Sequence, residues 1–268
     1  MSRGLGDVYK RQQQKQLKDS EKREKYKLYG ELINVYGYNL EEGAKELLAP
    51  NFYDNNKEIR IPLDPTLSPQ ENSQKFFDRY GKLKRTAEAL DKLLQETKAE
   101  IDHLESIQNS LDIALSADDL VQIKQELTEY GFIKKNRSGK KEKIKSKPFH
   151  YLSSDGYDIY VGKNNYQNDE LTFKFATGND WWFHAKGMPG SHVIVKSKGE
   201  EMPDRVFEEA GMLAGFYSKG RDSDKIEIDY LQKKNVKKPA GSAPGFVVYY
   251  TNYSLTIHPD ISHLKLIE

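Results

Sequence analysis

From Phe76 onward, apolar side chains recur at alternating steps of four and three: Phe76, Tyr80, Leu83, Ala87, Leu90, Leu94, Thr97, Ile101, Leu104, Gln108, Leu111 and Leu115. Only Thr97 and Gln108 in that series are polar, and the spacing is that of a coiled-coil seam. Ser68 followed by Pro69 marks its start, because the first helical position has no N–H bond for proline to remove. A helix from Pro69 to Leu115 is about 70 Å long at 1.5 Å per residue, too long for a domain of this size to bury. It needs a partner. Arg11 to Tyr36 is proline-free, rich in Lys, Glu and Gln, and carries Leu28, Leu32 and Val35 at helical spacing. That predicts a first, mostly exposed helix and an antiparallel, intramolecular coiled-coil arm; a parallel dimer remains open, because one seam does not name its partner. Between the helices lies a small tip, about 37–68, holding Leu47, Leu48, Phe52 and Tyr53 and punctuated by Gly37, Gly43, Pro50 and Ile61-Pro-Leu-Asp-Pro65. Ser116-Ala-Asp-Asp119 resembles a capping box opening a helix with Leu120, Ile123, Leu127 and Tyr130, which Gly131 ends.

After Pro148 the pattern changes to short runs with turns. Phe149–Ser153 and Tyr157–Val161 flank Ser154-Asp155-Gly156, where Gly supplies the positive φ of a tight hairpin turn. A short helix is predicted over Asn165–Phe175, and strands over Trp181–Lys186 and Ser191–Ser197. Pro203–Lys219 reads as a helix whose Ala210, Gly211, Ala214 and Gly215 let its backbone approach a sheet closely. Lys225–Leu231, Phe246–Thr251 and Ser254–His258 complete the strands. The expected class is α+β: a long antiparallel helical coiled-coil arm over 12–131, a basic linker over 132–147, and a compact mixed-sheet domain over 148–268. The opening 1–11 has no helical stripe, looks like translated cloning adapter, and is set aside from fold reasoning.

Charge sharpens this division. The 268 residues carry 42 Lys+Arg against 41 Asp+Glu, a net of +1, so any attraction to polyanions must be local. Lys134, Lys135, Arg137, Lys140, Lys141, Lys143, Lys145 and Lys147 face the single acid Glu142 within the linker. A second run, Lys233, Lys234, Lys237 and Lys238, leads into Pro239-Ala-Gly-Ser-Ala-Pro-Gly245. With 31% charged and 11% aromatic residues, the composition is too polar for one large core and too aromatic for disorder. No cysteine excludes disulfides and thiolate metal sites. No apolar run is long enough to span a bilayer, and the expected location is the cytoplasm.

The densest chemistry lies in Asn179-Asp-Trp-Trp-Phe-His-Ala-Lys-Gly-Met-Pro-Gly-Ser-His-Val-Ile-Val195. As strands, Trp181, Phe183, Ser191 and Val193 share one parity and Trp182, His184, Lys186, His192 and Ile194 the other. One face can be core while the other offers rings, imidazoles and cations, a platform on which RNA bases stack and phosphates bind. The residues alone leave open that both tryptophans are core and both histidines satisfied hydrogen-bonders. Asp180, His184 and His192 match no metal motif, and adjacent Ser191 and His192 point to opposite faces, so neither a metal site nor a nucleophile is expected. One lysine run is ordinarily a solvated edge, but two beside an aromatic platform could clamp phosphates. The expected RNA contacts are Trp182, His184, Lys186, Ser191, His192, Lys233, Lys234, Lys237, Lys238, Lys140 and Lys141, with no cofactor and no catalytic residue.

Asp180-Trp-Trp-Phe-His-Ala-Lys186, Pro189-Gly-Ser-His-Val193 and Lys237-Lys-Pro-Ala-Gly-Ser-Ala-Pro-Gly-Phe-Val-Val248 resemble the NFACT-R RNA-binding domain. Ile61-Pro-Leu-Asp-Pro65 and the stretch from Gln70 to Arg85 resemble the coiled-coil and middle region of the same family, that of bacterial RqcH, also labelled fibronectin-binding protein, and eukaryotic NEMF. The resemblance implies ribosome-associated quality control: binding a large subunit that still holds peptidyl-tRNA, contacting rRNA and tRNA, and, in the full-length family, recruiting alanyl-tRNA for template-free alanine tailing. The family's N-terminal domain, with its Asp-Arg dipeptide, and its helix-hairpin-helix region have no counterpart here. The expectation is therefore a C-terminal fragment that binds ribosomes without tailing unaided. A fibronectin-binding adhesin and, more remotely, a His-based metalloenzyme are the competing readings.

Overall fold

The long apolar series becomes one continuous helix. The computed structural model describes residues 2–135 and 143–267, with first-helix side chains described at Lys15 and from Lys18 onward. Helix α1 spans Ser2–Tyr36 and helix α2 spans Pro69–Ile113. Two compact units result, Met1–Lys98 and Ala99–Glu268. Their division falls inside α2. α1 also runs through the opening residues set aside above, where there is no proline to interrupt the helical hydrogen bonds.

In the first unit, β1 (Glu46–Asn51) and β2 (Lys57–Pro62) pair antiparallel, Glu46 opposite Pro62 and Asn51 opposite Lys57. Asn55 and Asn56 turn the chain at φ 48° and 58°, a region that Asn tolerates because its short amide can bond locally. Leu47, Ala49 and Ile61 bury one hairpin face with Tyr29, Leu32, Ile33 and Phe76. The helices run antiparallel: Tyr26 meets Phe76 at 6.0 Å between ring centroids, while Gly30, later in α1, accepts a 3.0 Å hydrogen bond from Ser73, earlier in α2. A Cβ on Gly30 would stand 2.8 Å from the Phe77 ring. Farther along α2 the seam is open, with Leu94 and Ile101 39% and 49% exposed.

In the second unit, Ser116 caps α3 (Ala117–Glu129), and the Asp119 carboxylate accepts from the N–H groups of Leu115 and Ser116 at 3.0 and 3.1 Å. The strands are β3 (Phe149–Leu152), β4 (Asp158–Val161), β5 (Trp181–Ala185), β6 (Val193–Val195), β7 (Ile226–Gln232), β8 (Tyr253–Ile257) and β9 (Lys265–Leu266). They form one sheet in the order β8-β7-β5-β6-β4-β3-β9. Every pairing is antiparallel, so the α+β class holds while the expected mixed sheet does not. Helix α5 (Asp204–Phe216) covers one face. Its Gly211 and Gly215 lie so close to β8 that a Cβ on either would stand 2.8 Å from Leu255 or Ile257. Helix α4 (Asn165–Glu170), continued by a π-helical turn over Leu171–Phe175, covers the other.

The end of α2 and α3 belong to this unit because they meet α4 through buried polar side chains. Glu126 accepts from Asn165 at 2.9 Å and lies 2.8 Å from His103. Gln122 accepts from Asn164 and Gln167, each at 3.0 Å. No described helix is long and apolar enough to cross a membrane.

Candidate nucleic-acid interface

The sheet register decides what the aromatic block can do. His150, Tyr160, Ile194, Trp182 and Leu231 are cross-strand partners in one row, and so share a face. In the middle of that row Trp182, Ile194 and Leu231 pack with Leu171, Ala176 and Val236. Trp182 has no exposed surface, and its indole Nε1 is buried without a hydrogen-bond partner among the described residues. A base cannot stack on a ring that is sealed on both sides, so Trp182 is core and not part of a surface platform.

Ser191 and His192 are also interior, at 1% exposure each. Ser191 donates to the Gly162 carbonyl at 2.6 Å. His192 meets the Thr172 hydroxyl through Nδ1 at 2.7 Å, hydrogen-bonds the Gly245 backbone, and its own N–H donates to Asn168 at 3.0 Å. Burial holds its imidazole well below the usual range, and neighbouring His184 pushes the same way. His184 is half-buried beside Trp182, and burial lowers it to about 4, against smaller opposing effects of the Gly190 backbone and Asp229. Both imidazoles are neutral at pH 7 and offer no charge to phosphate. Asp180, the third member of the metal reading, turns its carboxylate elsewhere, to the N–H groups of Thr177 and Ser197 at 2.7 and 2.9 Å and to Lys196 at 2.5 Å. Burial opposes its charge, but those donors prevail and keep it below the ordinary carboxylate range. Among the described residues, no cluster of three His, Asp or Glu could hold a metal ion.

The lysines fall into different environments. Lys186 lies 3.4 Å from Glu227, and Lys238 is ion-paired with Asp169 while also donating to the Ala243 carbonyl at 3.2 Å. Both are thus partly neutralised. Lys233 lies over the Phe173 ring, 5.8 Å from its centroid. Lys234 and Lys237 are exposed and have no ion pair among the described residues. Lys140 and Lys141 lie outside the described residues.

Beside these lysines runs a strap that the sequence reading placed in the sheet. The expected strand Phe246–Thr251 does not form, because β8 occupies the edge of β7. Instead a single bridge joins Lys237 to Val248, with N–H to carbonyl distances of 3.0 and 2.9 Å. Val247 and Tyr249 pack inward on the Trp182 cluster, and the alternate residues Phe246 and Tyr250 are 53% and 85% exposed. Both ends of the strap are anchored. Asp169 accepts from the Gly245 N–H at 2.9 Å, and buried Asp229 accepts from Tyr249, Asn252 and Ser254 at 2.9, 2.8 and 2.7 Å. Gly245 has φ 76°, and a Cβ there would stand 2.8 Å from Asn165 Oδ1. The alternation of Phe246, Val248 and Tyr250 is the sequence signal for this exposed surface, and it reads equally well as a strand of the sheet.

Comparison with known proteins agrees with this architecture. Residues 8–146 match the family described as NFACT N-terminal and middle domains, and residues 147–250 match the NFACT protein RNA binding domain. The chain is 39% identical over 251 residues to the Rqc2 homolog RqcH of Streptococcus pneumoniae serotype 2, covering 93% of this chain and 45% of that protein. It is 36% identical to RqcH of Bacillus subtilis, covering 92% of this chain and 44% of that one. It therefore spans less than half the length of these relatives. A solved structure, the C-terminal part of the fibronectin/fibrinogen-binding protein from Streptococcus suis, aligns with TM-score 0.66 and 33% identity over 96% of this chain and 91% of that one. The chain belongs to the NFACT family, matching both its N-terminal and middle domains model and its RNA-binding domain.

Proposed function

We propose that this chain is the RNA-gripping part of a cytoplasmic ribosome quality-control factor that binds rRNA and tRNA on the large subunit, where peptidyl-tRNA is held. It acts by binding, and alanine tailing is an activity of the longer protein. The observation that carries the reading is the exposed pair Lys234 and Lys237, without an ion pair among the described residues, beside an anchored loop inside a domain of the RNA-binding family. Free ammonium groups on a fixed support attract phosphate without first breaking an internal ion pair.

Co-sedimentation with purified large subunits tests this. The double variant Lys234→Glu/Lys237→Glu is expected to lose at least tenfold in affinity with an unchanged melting temperature, because neither side chain has an ion-pair partner among the described residues. Unaltered co-sedimentation of that variant would reject the assignment. The fibronectin label of the Streptococcus suis neighbour supports a second reading. Immobilised fibronectin challenged with excess RNA separates the two: capture that resists RNA and is untouched by the double variant favours the adhesin.

A further inference from the structure

We infer that Phe246 and Tyr250 form a stacking surface for unpaired RNA nucleotides, with Lys237 as its phosphate contact. This rests on the RNA-binding reading and adds to it the class of RNA taken and the residues that read it. Three observations converge. First, neither ring has an intramolecular partner among the described residues, although Tyr250 is 85% exposed and Phe246 53%. A tyrosine left that open is ordinarily on a loose tip, but here the residues on both sides are anchored: Tyr249 and Asn252 hydrogen-bond buried Asp229. Second, the bridge places Lys237 directly opposite Val248, between the two rings along the strap, and cross-strand partners project to the same side. Rings and ammonium therefore share one outward surface, while Val247 and Tyr249 hold the inner side against the Trp182 cluster. Third, the charge complements a polyanion: Lys234 and Lys237 have no ion pair among the described residues, and the adjacent Asp169 is engaged by Lys238 and the Gly245 N–H.

The spacing selects among nucleic acids. Residues four apart in an extended segment are separated by about 13 Å at roughly 3.3 Å per residue. That exceeds the rise between stacked bases, so the two rings engage bases splayed from one another, as in loops and single strands, and not a closed duplex. The expected ligand is thus an unstacked segment whose backbone passes over Lys237.

The test uses the whole chain with two probes, a short oligo(A) strand and a mixed-sequence RNA duplex, read by fluorescence anisotropy. Tyr250→Ala and Phe246→Ala are each expected to weaken oligo(A) binding by about tenfold, a typical loss for one base–ring stack. They should leave duplex binding and the salt slope as in the parent. Tyr250→Phe keeps the ring and should bind like the parent. Because both side chains are exposed, a melting curve that matches the parent excludes misfolding as the cause. If both alanine variants bind oligo(A) normally while Lys234→Glu/Lys237→Glu weakens it, the stacking surface is wrong and the RNA-binding reading stands. If the lysine variant binds both probes normally, the RNA-binding reading itself falls.

Discussion

His192 is almost wholly buried, yet it joins three separate segments: Thr172 in the π-helical turn, Asn168 in α4 and Gly245 at the start of the exposed strap. Its task, like that of Trp182 beneath Tyr249, is to support the surface and not to be it. A consequence is measurable by pH. The folded pKa of His184 and His192 lies below that of an unfolded histidine, near 6.5, so the unfolded chain binds more protons as pH falls. Their contribution is fully present above about pH 6.5 and is lost progressively as pH falls toward the folded value, about 4 for His184. Melting temperature is therefore expected to drop between pH 7 and pH 5, and less steeply in His192→Gln. Asp180 has the usual carboxylate sign, and with a pKa depressed below its ordinary 3.8 its loss comes under pH 4, outside that window. A pH dependence between pH 7 and pH 5 that is the same in His192→Gln as in the parent would show that this imidazole is not held neutral.

Each secondary-structure element was readable where one short-range rule governed it. The four-three spacing yielded α2, Ser116 with Asp119 yielded the start of α3, and the small residues of α5 announced its close approach to the sheet. That last reading can be tested directly. Gly215→Val is expected to destabilise the protein by about 1–3 kcal/mol, as overpacking does, because its Cβ would stand 2.8 Å from Ile257 Cδ1. Chemical denaturation measures this, and a loss below about 0.5 kcal/mol would mean that α5 shifts freely. Strand-like segments were less legible. Phe246–Thr251 has strand composition, but whether it enters the sheet depends on which segment occupies the edge of β7, a competition won by the next segment, β8. The hairpin β1–β2 has no strong local signature for a related reason: pairing with its neighbour, and not its own propensity, makes each half a strand.

For the molecule as a whole, a net charge of +1 means that RNA affinity must come from a few local contacts. The logarithm of the binding constant for a single strand should then fall gently with the logarithm of salt concentration. Removing Lys234 and Lys237 should reduce that slope by about 1.4, at roughly 0.7 per phosphate contact. A slope unchanged by their removal would place the phosphate contacts elsewhere. Much of this protein follows from its residues in order: the two long helices, the α+β class, the absence of thiol chemistry, and the family marked by the Asp180–Lys186 and Lys237–Val248 blocks. These rest on periodicity and local motifs, which act over a few residues and need no knowledge of distant neighbours. Only the tertiary structure decided that Trp182, Ser191 and His192 are interior, that Lys186 and Lys238 are matched by Glu227 and Asp169, and that Tyr250 stands in the open. Strand alternation assigns a residue to a face but not the layer that covers that face. Here α4, the π-helical turn and the strap cover it, moving the available aromatic and cationic surface one layer outward.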